Sequence, residues 1–127
     1  LIEEGRPLFV QIAEQIEDSI VDGSLAEHAQ APSTNELAAF YRINPATAAK
    51  GVAMLADKGV LSKRRGIGMF VADGARDLLL GERRDAFADR YVAPLLAEAR
   101  KIGLAPDDLA ALIRSHGTDS PDPGRHS

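Results

Sequence analysis

Residues 32–61 read PSTNELAAFYRINPATAAKGVAMLADKGVL, and two helix starts are written into them. Ser33 stands three residues before Glu36, the spacing at which a hydroxyl and a carboxylate each satisfy a backbone amide at a helix N-terminus. A short helix is therefore expected over residues 34–41, with Leu37, Ala38 and either Phe40 or Tyr41 on its buried side. Asn44 then precedes Pro45, a good N-cap followed by a proline at the first helical position, where its missing N–H is no loss. A second helix follows over residues 45–58, closed by Gly59. Its inner stripe is Ala48, Val52, Leu55 and Ala56; Ala46, Thr47, Lys50 and Gly51 fall outside that stripe. Only a tight break at residues 42–44 separates the two helices.

The flanks complete the pattern. On the N-terminal side, Leu8, Ile12, Ile16 and Ile20 recur every four residues with Phe9 and Ala13 alongside, an amphipathic helix over residues 7–22 that Gly23 ends. Residues 29–32 form an extended link, because the residue before a proline is pushed out of the helical region. On the C-terminal side, strands over 60–64 and 69–72 are joined by a turn at 65–68. Helix, short helix, helix, hairpin is the order of a winged helix-turn-helix. The expected fold is mainly α with one small β-hairpin.

Beyond Asp73 the pattern changes. Over residues 76–102 only Gly81 and Pro94 interrupt a helical pattern, with Leu80, Phe87, Tyr91, Leu95, Ala99 and Ile102 forming a narrow apolar seam along a helix bent at Pro94. Gly103 breaks it, and LAPDDLAALIRS places Pro106 early in a last helix with Leu109, Leu112 and Ile113 on its inner face. Two such helices cannot enclose a core alone, so this segment is expected to pack on the first domain or on another chain. The division reads as 1–73, a winged helix-turn-helix domain; 74–116, a two-helix dimerisation segment; and 117–127, a disordered tail.

Charge and composition narrow the function. The 127 residues carry a formal net charge of −4, which taken alone argues against a polyanionic partner. Yet residues 1–41 hold eight acids and one base, a net −7, whereas residues 42–71 hold six bases and one acid, a net +5. The densest part is SKRRGIGMFVA at residues 62–72, where Lys63, Arg64 and Arg65 precede Gly66 and Gly68. The two glycines allow a narrow turn that enters a minor groove while the cations meet phosphates on either side. With no third glycine and no Walker Lys-Ser/Thr pair, the motif is not a nucleotide fingerprint. The helix starts at Ser33 and at Asn44 to Thr47 are natural phosphate sites. No cysteine is present, and His28, His116 and His126 stand far apart without metal-ligand spacing, so neither a metal, a cofactor nor catalysis is expected. No apolar run nears the ~20 residues that span a bilayer; a soluble, cytoplasmic, nucleoid-associated protein is expected.

Three motifs in order, PLFVQIAEQIEDSIVDGSL, then the stretch quoted above, then RRGIGMFV, resemble the N-terminal DNA-binding domain of the GntR family of bacterial transcription regulators over residues 6–72. INPATAAK and the short helical C-terminal segment resemble its YtrA-like subfamily. The resemblance implies a homodimer that reads a palindromic operator as a regulator, expected to be a repressor, with the helix at 45–58 in the major groove and the wing at 63–70 at the minor groove. Thr47 and Lys50 carry over as contacts, joined by Ser33, Asn35, Asn44, Ala46, Lys63, Arg64, Arg65, Gly66 and Gly68. The dimer would pair through Leu80, Phe87, Tyr91, Leu95, Ile102, Leu109, Leu112 and Ile113. Several positions depart from the family: Asn35 replaces an arginine, Gln30 a basic residue, Ala46 an asparagine, Arg42 a glycine, and Gly51 an alanine, the last at about 1 kcal/mol of helix propensity. A small-molecule effector is left unidentified. The competing expectation is a winged-helix protein-interaction module with weakened DNA contacts, favoured by Asn35, Gln30 and the overall acidity.

Overall fold

The computed structural model describes residues 4–119 and divides into two compact units, one running through Arg83 and one beginning at Arg84.

The first unit is built on α1 (Leu8–Asp22), α2 (Thr34–Tyr41) and α3 (Pro45–Lys58), followed by β1 (Leu61–Arg64), β2 (Gly68–Val71) and α4 (Ala75–Phe87), whose last residues belong to the second unit. Its core joins Ile12, Ile16 and Ile20 of α1 to Leu37 of α2, Ala48, Val52 and Leu55 of α3, Val60 and Val71 at the hairpin, and Ala75 and Leu79 of α4. The helix starts follow from local chemistry. Ser33 Oγ accepts from the Glu36 amide at 3.0 Å while the Glu36 carboxylate accepts from the Ser33 amide at 2.9 Å. Asn44 Oδ1 accepts from the Ala46 amide at 2.8 Å. Tyr41 packs against the core and Phe40, at 75% exposure, does not.

The hairpin pairs Leu61 with Val71 and Arg64 with Gly68, each strand shifted one residue from its expected start. Val60 nonetheless accepts from the Ala72 amide at 2.9 Å, so pairing continues just past the strands. The link before α2 is more than an extended connection. Its Ala31 amide donates to Met69 O at 2.8 Å, Val71 donates to Ala29 O at 2.9 Å, and Gln30 bridges to Phe70, which lays this segment along β2 as a third short pairing partner.

Gly51 is a correction. Expected outside the inner stripe, it is buried on α3, and a Cβ there would stand 2.7 Å from the Phe9 carbonyl oxygen and 3.4 Å from Ile12 Cβ. Where helix propensity alone marks Gly51 as a weakness, the close approach of α1 to α3 requires it.

In the second unit the backbone widens into a π-helical segment, Ala88–Val92, before α5 (Ala93–Lys101). Pro94 supplies no amide and its ring crowds the carbonyl four residues back; the Ala93 amide instead reaches Ala88 O. The disturbance expected at Pro94 thus takes the form of a π turn just ahead of it. Gly103 turns the chain with φ 78°, and α6 (Pro106–Asp119) packs on α5 with Ala99 and Leu109 buried. The helix continues through residues 117–119, where a tail was expected; residues 120–127 lie outside the described residues.

Candidate nucleic-acid interface

Because α3 buries Ala48, Gly51, Val52 and Leu55, the helix turns Ala46, Ala49, Lys50 and Ala53 outward and leaves Thr47 half-buried. The tight α1–α3 approach at Gly51 brings the Phe9 ring under Lys50, whose ammonium nitrogen lies 4.1 Å from the ring centroid. An ammonium over an aromatic face is attracted by the ring quadrupole, so Lys50 is positioned from α1. Beside Lys50, the alanines Ala46, Ala49 and Ala53 offer only methyl groups. Such a face can meet thymine methyls, while one cation serves a phosphate or a guanine edge.

Asn35 is exposed on α2. The expected anion sites at the helix starts are altered by the caps: the amides of Glu36, Ala46 and Thr47 are already engaged, by Ser33 Oγ, Asn44 Oδ1 and Asn44 O respectively. Ser33 and Asn44 therefore hold their helices first, and what their side chains have left to donate is the Ser33 hydroxyl hydrogen and the Asn44 side-chain amide. Arg42, at the turn between the two helices, is held in the left-handed region at φ 57°.

At the wing, Lys63, Arg64 and Arg65 are all exposed. Arg64 faces Gly68 across the hairpin, and with no side chain opposite it leans over the diagonal neighbour Phe70, its guanidinium carbon 4.0 Å from the ring centroid. Gly66 and Gly68 both have positive φ, 78° and 143°, as the narrow turn demands. Between them Ile67 stands 63% exposed at the tip. Gln30 reaches the tip from the link before α2: its side-chain nitrogen donates to Ile67 O at 3.1 Å, and a Cβ at Gly68 would lie 2.7 Å from that nitrogen. Phe9, Ile67 and Phe70 are functional candidates that the sequence alone did not single out, and Gln30, expected only as a lost basic contact, instead braces the wing tip. For Phe70 the period-two alternation of the hairpin was the available signal; for Phe9 under Lys50 and for the reach of Gln30 to the wing there was none, since those partners are 41 and 37 residues away.

The local surplus of positive charge is smaller than counted. Lys58, in the last turn of α3, pairs with Glu17 at 2.6 Å and Glu82 at 2.7 Å. Burial alone would depress its pKa, but hydrogen bonding and attraction from Glu17 and Glu82 outweigh this and raise it above its ordinary value. Arg6 and Arg83 are likewise occupied, with Glu14 and Asp18. His28 is also less isolated than expected: its Nε2 lies 3.1 Å from Asp73, and Glu27 completes a group whose ligand-type atoms fall within 4.8 Å. Glu27 is engaged there, accepting from the Arg76 amide at the start of α4.

Of the residues expected to pair between chains, Phe87, Tyr91, Leu95, Ile102, Leu112 and Ile113 are exposed in the second unit, with Phe87 and Tyr91 rings 5.3 Å apart. Leu109 differs: it is 6% exposed, already buried within the α5–α6 hairpin. Leu80 is half-buried in the first unit. No helix among the described residues is long and apolar enough to cross a membrane.

A three-helix core, a capped second helix, an outward-facing third helix and a cationic β-hairpin define a winged helix-turn-helix regulator of the DNA-binding class. Residues 8–71 match the family described as bacterial regulatory proteins, gntR family, and the chain belongs to this GntR family. The similarity continues past that domain: the chain is 25% identical over 113 residues to the HTH-type transcriptional repressor YtrA of Bacillus subtilis, covering 89% of this chain and 86% of that one. A GntR-family regulator structure from Bacteroides thetaiotaomicron is 27% identical with a TM-score of 0.72, covering 88% and 97% of the two chains. The DNA-binding domain of AraR in complex with operator ORX1 is 30% identical, with a TM-score of 0.52 over 57% of this chain and 87% of that one. GntR-family proteins are non-enzymatic regulators that bind DNA operators, and this chain is a DNA-binding transcription regulator of that family.

Proposed function

We propose that the protein is a cytoplasmic repressor that binds a palindromic operator as a homodimer, with α3 in the major groove and the wing at the minor groove. One observation carries the reading. The acid-paired cations Arg6, Lys58 and Arg83 belong to the scaffold, whereas Lys50, Lys63, Arg64 and Arg65 are exposed on the helix and the wing. Ser33, Asn35, Asn44 and Thr47 add phosphate contacts that fix register, and Ala46 with its neighbouring alanines favours thymine methyls in the half-site. The exposed seam from Phe87 to Ile113 supports pairing of two chains, which would set two recognition helices on successive turns of a palindrome. YtrA is by name a repressor, and that likeness supports the sign of regulation.

The test is selection of bound fragments from genomic DNA, then fluorescence titration of an enriched site across salt. Four cations per chain, eight per dimer, predict a slope of log affinity against log salt of about −7. Replacing Arg64 and Arg65 by Ala should reduce its magnitude by about 3 to 4. A chain that enriches no sequence and binds without salt dependence would overturn the reading in favour of a protein-interaction module.

A further inference from the structure

We infer that Gln30, outside both the recognition helix and the hairpin, is a positioning residue that sets the wing for DNA. The inference rests on the DNA-binding reading above. The placement of the Gln30 side chain and the pairing of its backbone both point to this role. The Gln30 carboxamide donates to Ile67 O, at the apex of the hairpin, at 3.1 Å. The Gln30 backbone bridges to Phe70, flanked by Ala31 donating to Met69 O and Val71 donating to Ala29 O. Finally, the carboxamide lies so close over Gly68 that any side chain there would strike it, a Cβ falling 2.7 Å from the nitrogen.

A two-stranded hairpin of four residues a side is marginal in water and free to sway about its base. Pairing along β2 fixes the base of this one, and the Gln30 side chain reaches past that base to the tip. It reaches the tip from the segment that leads into the Ser33 cap of α2, so the wing is referenced to the helix-turn-helix itself. Fixing the Ile67 carbonyl also fixes where the exposed Ile67 side chain and the flanking cations Arg64 and Arg65 stand before DNA arrives. Preorganisation of this kind strengthens binding by reducing what must be ordered on association, and adds no phosphate contact of its own.

Gln30→Met keeps length and shape and removes the hydrogen bond. The Ile67 amide closes the turn onto Arg64 O at 3.0 Å and so reports opening of the tip. In the free protein its hydrogen exchange should accelerate about threefold to tenfold once the clamp on the Ile67 carbonyl is lost, the range for one hydrogen bond, while the α1 amides stay unchanged. Affinity for the selected operator should fall by a similar factor with the salt slope unaltered, whereas Arg64→Ala lowers the slope. Unchanged exchange overturns the clamp, and faster exchange with unchanged affinity overturns the positioning role. A lower salt slope in Gln30→Met also overturns it, because the residue would then act through charge placement at phosphates. Wild-type protein that binds no DNA overturns the underlying reading; exchange, which needs no DNA, tells that failure apart from failure of the clamp.

Discussion

A methyl group added at Gly51 would press on the Phe9 carbonyl, a backbone atom that cannot rotate away. Gly51→Ala should therefore destabilise the protein by about 1–2 kcal/mol in urea denaturation, overpacking outweighing the helix propensity regained. The same substitution should weaken DNA binding, since it displaces the Phe9 ring from beneath Lys50. Arg42 is the opposite case. Its left-handed backbone strains a residue with a side chain by about 1–2 kcal/mol, and Arg42→Gly exchanges this for a smaller entropic loss. A net gain of up to about 1 kcal/mol is expected by the same measurement. Both departures from the family stand out in the chain itself, yet only the packing around each reveals that one is a necessity and the other a strain.

Among the described α-helices, α2 is the shortest, eight residues held at their start by a complete capping box. The Ser33 amide, and then the Ser33 hydroxyl, hold the Glu36 carboxyl below its ordinary range. A depressed folded pKa means stability that is whole above the unfolded value of 4.5 and is lost as pH falls through the folded one. Glu36→Ala should be less stable than wild type near pH 7, and the gap should narrow on acidification below pH 4.5, as followed by urea midpoints. Lys58 behaves in the opposite sense. Its raised pKa means that the lysine's share of the tie to Glu17 and Glu82 is whole below 10.5 and is lost as pH rises through the raised folded value. The caps of α2 and α3 were legible because their partners lie within three residues. The edge formed by residues 29–31 was not, because it consists of backbone bonds to residues about 40 positions away, which no local pattern encodes.

At the scale of the whole molecule, the second unit buries Ala99 and Leu109 and leaves Phe87, Tyr91, Leu95, Ile102, Leu112 and Ile113 exposed, more apolar surface than a solitary helical hairpin carries without a partner. On the proposed function that partner is a second copy. Phe87→Asp combined with Ile102→Asp should weaken self-association about a hundredfold or more in sedimentation equilibrium. Operator affinity should fall with it, because each half-site then binds alone. The order of helices and hairpin, the caps, the position of the wing and the apolar seam were all open to inspection in the chain, since each depends on spacing within a turn or a strand. Which glycine is indispensable, which cation is neutralised and which glutamine steadies the wing depended on packing. Those properties arise where α1, the link before α2 and α4 close on α3 and the hairpin, and close approach between distant segments leaves no periodic trace in a linear sequence.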